Sequence, residues 1–385
     1  MNTPPAPPAV EQQKQFPCKS CGASLKFAPG TSTLVCPYCG AANEIDAPVA
    51  PAQELDYHAQ LAALTSDEAM GDVLTVKCTN CAAETQLGAN VTADQCPFCG
   101  TAIVATAASR KAIKPNAVLP FAVAREQALA EFRRWVASLW FAPSALMQQA
   151  STTGIKGVYM PAWTYDANTQ SYYTGERGDN YWETETYWDT ETYTEFEGGQ
   201  SVSKTRQVQK TRQVQKIRWY SVSGRVADLF DDVLVLASHS IPLPLARRLE
   251  PWDLKNCTPY RDEYLSGFLA ESYQVDLPTG FEEARGIMDG VIRQTIARDI
   301  GGDHQRIHQV DTQYFDITFK HTLLPIWISA YRYMEKSYRF LVNARTGEVQ
   351  GERPYSAWKI AALVVGIIVA IIVIALLVKG GGAGR

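Results

Sequence analysis

Three common catalytic signatures are missing from this chain. It has no GxxxxGK[ST] phosphate loop, no GxGxxG after a candidate strand and no GxSxG elbow, which removes the usual P-loop, dinucleotide-binding and α/β-hydrolase chemistries. Histidine is scarce, with five in 385 residues. The one notable pair, His304 and His308 in "IGGDHQRIHQV", lies four apart on a possible helix, and two ligands do not complete a metal site. The amino terminus, "MNTPPAPPAVEQQ", lacks the basic start and apolar core of a secretory signal, so an oxidising compartment and disulfides are not expected. Positive charge is also sparse early on. Residues 1–106 hold Lys14, Lys19, Lys26 and Lys77 against ten acidic residues, a balance that disfavours binding to phosphate backbones.

What the chain does have is cysteine in a pattern. Cys18, Cys21, Cys36 and Cys39 form two CxxC knuckles, and Cys78, Cys81, Cys96 and Cys99 repeat the spacing sixty residues later, with "CPYCG" and "CPFCG" as the second knuckle of each set. Two residues between cysteines let both sulfurs of a tight turn face one ion, and a Gly after the knuckle suits a backbone with positive φ. The stretch between knuckles is the length of a short β-hairpin, so each tetrad reads as a zinc ribbon holding one Zn²⁺, two per chain. Rubredoxin-like iron uses similar knuckles but generally separates them by more residues. A redox CxxC calls for one pair beside a βαβ pattern, whereas these are two closed tetrads with no ligand position left open. Each ion would hold together a segment too small for a core of its own.

The fold expected is α+β: two amino-terminal zinc ribbons, a β-rich mixed domain with a long charged hairpin, and a carboxyl-terminal transmembrane helix. Residues 1–15 read as disordered, 16–47 as the first ribbon, 48–73 as a helical linker, 74–106 as the second ribbon and 107–117 as a linker. The mixed domain then covers 118–357. Leu55, Ala59, Ala62 and Ala63 have helical spacing in the first linker, and "AREQALAEFRRWVASLW" puts Ala128, Leu129, Phe132, Trp135, Val136 and Leu139 on one side of a helix. Elsewhere the chemistry is thin. Cys257 stands alone and reads as a small buried residue, and Asp231 and Asp232 in "LFDDVLVLAS" suit a turn before an apolar strand.

Within 181–220, "YWETETYWDTETYTEFEGG" is followed by "KTRQVQKTRQVQKIRWY", both with a six-residue period. Alternation places the acids of the first strand on one face and the bases of the second together. An antiparallel register in which opposed residue numbers sum to 401 sets Glu191 against Lys210, Asp189 against Arg212 and Glu185 against Lys216, so that charge would set the pairing. At the far end, Ile360 to Val378 is an unbroken apolar run, close to the ~20 residues that cross ~30 Å of hydrocarbon. The span 358–379 is therefore expected to anchor the chain in the cytoplasmic membrane, with a tail at 380–385. Reduced thiolates place the large amino-terminal part in the cytoplasm.

The paired knuckles, "KGVYMPAWTYDANT", "FDDVLVLAS", "LEPWDL", "IGGDHQRI", "LLPIWISAYRY" and the terminal span together resemble a family of bacterial zinc-ribbon membrane proteins. These are often labelled transcription-factor-IIB-type, sometimes with a primosomal or helicase-like name. The missing nucleotide loop argues against helicase activity. The resemblance implies flotillin-like (SPFH) or phage-shock partners and a role in membrane stress. The function expected is a tail-anchored, non-enzymatic adaptor that gathers proteins at the bilayer; the alternatives are a membrane-bound enzyme with a site within 118–355, or a nucleic-acid-binding ribbon protein.

Overall fold

The computed structural model describes residues 16–45, 51–65, 71–86, 93–99, 101–104, 108–139, 154–333, 336–352 and 357–381. The segment 1–15, expected to be disordered, lies outside the described residues. The first ribbon contains β1 (Lys26–Phe27), β2 (Thr33–Val35) and β3 (Ala42–Glu44); β4 (Leu55–Asp56) and α1 (Tyr57–Thr65) follow. The second ribbon region contains β5 (Gly71–Lys77), β6 (Glu84–Gln86), β7 (Ala93–Gln95), β8 (Ala102–Val104) and β9 (Ala108–Ala112). Next come β10 (Ala117–Val118), α2 (Arg125–Ser138), β11 (Lys156–Glu197), β12 (Gln200–Leu236) and α3 (Leu243–Arg247). The chain continues through β13 (Thr258–Pro259), β14 (Leu269–Glu271), α4 (Leu277–Ile300), β15 (His304–Tyr333), β16 (Lys336–Asn343), β17 (Val349–Gly351) and α5 (Ala357–Gly381).

Two expectations need correction. The structure is mostly β, 47% strand against 25% helix, rather than α+β. The reason is the length of three strands: β11, β12 and β15 run 42, 37 and 30 residues. The second correction concerns the terminal segment. Among the described residues no helix is long and apolar enough to cross a membrane. The transmembrane helix expected at 358–379 is not supported, and the single-pass placement in the cytoplasmic membrane loses its basis with it.

The chain divides into two compact units, Met1–Tyr165 with Asp232–Ala284 and Thr318–Arg385, and Asp166–Asp231 with Arg285–Ile317. In the first unit, strand sequence explains the core. Tyr159 and, on β15, Leu323 and Trp327 join one apolar cluster, while Val158, Met160 and Ala162 join another with Leu324, Ile326 and Ile328. Alternating residues of both strands are thus apolar because both faces of the sheet are covered. One face carries the first ribbon and α2, through Leu25, Phe27, Leu34, Phe132 and Val136. The other carries the second ribbon and the α3 region, through Val76, Phe98, Leu245, Leu249 and Trp252. Phe121 stacks on Phe268 at 4.0 Å and meets Trp327 edge-on at 5.1 Å, and the Trp327 indole donates to the Val123 carbonyl at 2.8 Å. The helix expected within 124–140 forms as α2 over Arg125–Ser138, with Ala128, Phe132 and Val136 buried. Leu55 instead pairs in β4, and α1 starts behind Asp56, whose carboxylate accepts the Ala59 N–H at 2.6 Å as an N-cap.

In the second unit, α4 residues Met288, Ile292, Ile296 and Ile300 are buried at four-residue intervals, and Asp299 accepts the Tyr173 hydroxyl at 2.6 Å. Helix α4 ends at Ile300, so His304 and His308 lie on β15 and not on a helix. His304 contacts Asn180 at 3.1 Å and His308 lies 3.7 Å from Glu176, so each is engaged locally.

The hairpin forms with a different register from the one charge alone suggests. Strand β11 ends at Glu197 and β12 starts at Gln200, with Gly198 and Gly199 between them at φ 61° and 83°. Positive φ at both central residues defines the two-residue turn that matches strand twist, and glycine reaches it without a Cβ clash. Opposed numbers then sum to 397, since 197 faces 200. Thr169 donating to the Asp228 carbonyl fits this sum. So does Gly224, where a Cβ would strike the Tyr173 ring. The direct ion pairs are Glu191 with Arg206 at 3.1 Å and Glu185 with Arg212 at 3.3 Å. Asp189 pairs diagonally with Lys210 at 2.8 Å. Arg206, Arg212 and Arg218 stack diagonally over Tyr193, Tyr187 and Tyr181. Toward the base, Ala237 donates to the Pro161 carbonyl at 3.0 Å, a pair summing to 398. The extra residue is taken up near Asp232, at φ 54°, as a β-bulge.

Candidate metal centres

Three of the four knuckles are built on one backbone turn. Cys18 N–H donates to Ala23 O at 2.7 Å while Gly22 N–H returns to Cys18 O at 2.8 Å, and Cys78 with Ala83 and Ala82 repeats the pattern at 2.9 Å for both bonds. Cys36 and Gly40 do the same with Ala41. The residue after each of these knuckles has positive φ: Gly22 75°, Gly40 73° and Ala82 58°. The tight turn closes because the chain enters the left-handed region there, and in the second ribbon an alanine does so at a steric cost.

The turns bring the sulfurs together. Sγ separations are 3.6 Å for Cys18 and Cys39, 3.5 Å for Cys21 and Cys36, 3.6 Å for Cys78 and Cys99, and 3.6 Å for Cys81 and Cys96. Four sulfurs at ~2.3 Å from a tetrahedral Zn²⁺ would stand about 3.8 Å apart, so both sets fit a four-thiolate ion. All eight cysteines named from spacing are brought into these two clusters. The local field suits the thiolates in part. Backbone N–H groups of Cys39 and Tyr38 pull the Cys36 thiol down to about 6, and the Cys96 sulfur, helped by the Ala83 N–H, holds Cys81 at about 5. At Cys21 the Ala23 N–H acts downward, yet the sulfurs of Cys36 and Cys39 push the thiol up to about 12. Four crowded sulfurs cannot all ionise on their own, and a dication at their centre is the charge that lets them.

Each centre is tied to the sheet. In the first ribbon, Phe27 N–H donates to Ser266 O at 2.9 Å, Gly30 N–H to Phe121 O at 2.8 Å, and the Ser266 hydroxyl to Leu25 O at 2.6 Å. In the second, β6 pairs with β14, setting Gln86 opposite Ala270 and Thr85 opposite Glu271. Gln274 donates to the Ala82 carbonyl at 3.3 Å. Beside it the fully buried Glu271 accepts from Ser238 at 2.9 Å and from Ser240. Burial pushes its carboxyl up to about 8. This buried polar group was not visible in the sequence, because Glu271, Ser238 and Ser240 are ordinary residues until the strands meet.

The remaining candidates have structural engagements. Asp232 forms an ion pair with Lys320 at 2.8 Å, and Lys320 also reaches Glu54 at 3.0 Å. Cys257 is partly buried, and burial pushes its thiol up to about 12, away from a nucleophile's range.

Comparison with known proteins adds one relative. The chain is 25% identical over 387 residues to an uncharacterized protein, YdjG, of Bacillus subtilis strain 168, covering 95% of this chain and 98% of that protein. No protein-family profile matches the chain. No solved structure matches it either.

Proposed function

We propose that this protein is a non-catalytic adaptor in which two structural Zn²⁺ ions, one per tetrad, rigidify ribbons that present a β-rich body to protein partners. The observation that carries this reading is closure: eight cysteines fill two four-sulfur shells, which leaves no coordination position for a substrate or an activated water. The ribbons' acidic balance favours protein over nucleic acid as a partner. The flotillin-like and phage-shock proteins implied by the sequence resemblance are candidates for that role. Elemental analysis of the purified full chain is expected to return about two zinc ions per chain, and affinity capture should recover protein partners that are lost with Cys18→Ser or Cys96→Ser. Iron in place of zinc would overturn the ribbon assignment, and a turnover activity that survives both substitutions would replace this reading with the enzyme alternative.

A further inference from the structure

Beyond the centres, the hairpin from Tyr181 to Tyr220 has no buried residue among those described. Its third strand stops early. Asp303 N–H donates to Gly178 O at 3.0 Å and Asn180 N–H to the Asp303 carboxylate at 2.7 Å, and β15 starts at His304. From there to the turn, β11 and β12 are paired with each other and with no other strand among the described residues. The two-stranded part runs roughly 55 Å at ~3.3 Å per residue. An isolated ribbon of that kind is marginal in water, and its two open edges are templates for further pairing.

The edges have opposite signs. Residues 181–197 contain Glu183, Glu185, Asp189, Glu191, Glu195 and Glu197 with no Lys or Arg, and residues 200–220 contain Lys204, Arg206, Lys210, Arg212, Lys216 and Arg218 with no Asp or Glu. Pairing β11 with β11 of another molecule would oppose acids, and β12 with β12 would oppose bases. Only β11 against β12 matches. Chain direction permits it, because β11 of one copy and β12 of a copy laid alongside in the same orientation run antiparallel. At equal height, Glu191 then stands beside Arg206 of the next copy, as it does within its own hairpin. The six-residue period is even, so charges stay on one face and a slip of one repeat retains the match. On the reverse face, Trp182, Trp188 and Phe196 are 66%, 67% and 77% exposed, and alignment of copies would set each in a row that alternates with the opposed Gln215, Gln209 or Ser201.

We propose that the hairpin is a self-assembly element: the acidic edge of one copy adds as a strand to the basic edge of the next. The contact is head-to-tail, so each addition leaves one edge of each sign available and the array stays open. This inference is independent of the zinc reading, and its test reads association rather than metal content.

The turn geometry supplies a specific probe. Because Glu197 and Gln200 flank the two-residue turn, odd-numbered residues of β11 bond inward to β12 and even-numbered ones point their N–H groups outward; Thr190 N–H accordingly turns to the Asp189 carboxylate at 2.8 Å. Thr186→Pro with Thr192→Pro therefore removes outward donors while leaving the hairpin's own bonds. In sedimentation of the full chain, mass should rise with concentration and fall with salt. The proline pair should weaken association by about tenfold or more. Should the proline chain lose amide protection in the hairpin, a mixing experiment decides. One variant carries Glu183, Glu185, Asp189 and Glu191 changed to Lys, and the other Lys210, Arg212, Lys216 and Arg218 changed to Glu. Each should fail to assemble alone, and the equimolar mixture should assemble. A wild-type chain that stays monomeric to roughly 100 µM, assembly indifferent to the prolines in a folded hairpin, or a mixture that stays dispersed would each overturn the proposal. Capture of a different protein on the hairpin by a monomeric chain would do so as well.

Discussion

Single residues decide how well each centre closes. Ala82 holds φ 58° at the position where the first ribbon uses Gly22 and Gly40, and the left-handed region costs a Cβ-bearing residue roughly 1 kcal/mol. Ala82→Gly is expected to raise stability by about 0.5–1 kcal/mol after the extra freedom of the unfolded chain is counted. Gly40→Ala should lower it by a similar amount. Thermal unfolding of the metal-loaded chain measures both. A second residue-scale effect concerns pH. His321 is buried against Trp163 at 4.5 Å, with Nδ1 3.0 Å from the Ile113 carbonyl, and burial lowers its pKa to about 4. The unfolded chain binds a proton there below ~6.5 while the folded chain does not. The stability due to neutral His321 is therefore complete above ~6.5 and is lost as pH falls toward 4, by up to roughly 3 kcal/mol. The thiolates also take up protons on acidification, so the measurement is a difference: His321→Phe should flatten the stability profile relative to wild type between pH 6.5 and 5. Parallel profiles would show that burial does not depress this imidazole.

At the scale of elements, the hairpin shows how a turn overrides a charge pattern. Each exposed ion pair contributes about 0.2–1 kcal/mol at most, and a period-six sequence satisfies its charges in more than one register. Gly198 and Gly199 break that degeneracy by fixing which residues face each other. Gly199→Val is expected to loosen the hairpin, seen as faster amide exchange on β11 and β12 above Gly178. Reversing only the direct pair, Glu185→Arg with Arg212→Glu, should leave exchange near wild type. Large changes in the second variant with none in the first would mean that charge, and not the turn, sets the register. Both β11 and β12 also show why element type was hard to read: "KGVYMPAWTYDANT" is buried on both faces at its start and "YWETET" on neither, yet they are one strand. Period-two alternation marks only strands with one wet face.

For the whole molecule, the doubling of the ribbons has a structural reason. The central sheet of the first unit is apolar on both sides, and one ribbon helps cover each. Cys18 and Cys36 are part of one apolar cluster, while Cys78, Cys96 and Cys99 are part of the other. Metal loss at either centre should therefore reach the shared sheet. Stripping with a chelator is expected to lower the unfolding temperature of the body and to raise binding of an apolar dye, with Cys36→Ser and Cys96→Ser each giving part of the effect. A body that melts at the same temperature with and without metal would show that the sheet needs neither ribbon.

That the eight cysteines gather into two sets of four was legible in the sequence alone, since knuckle spacing is a local property and two residues between sulfurs suffice to aim both at one point. Helix α2 was legible for the same reason, its stripe of Ala128, Phe132 and Val136 repeating within one short segment. The apolar run at Ile360–Val378 was just as plain, but hydropathy alone did not make it a membrane span. Tertiary structure decided the rest: that the ribbons cover opposite faces of one sheet, and that Glu271 lies buried beside the second centre. Each of these depends on segments far apart in the chain, and the sequence signals available were compatible with more than one long-range pairing. Only packing both faces of the sheet at once selected among them.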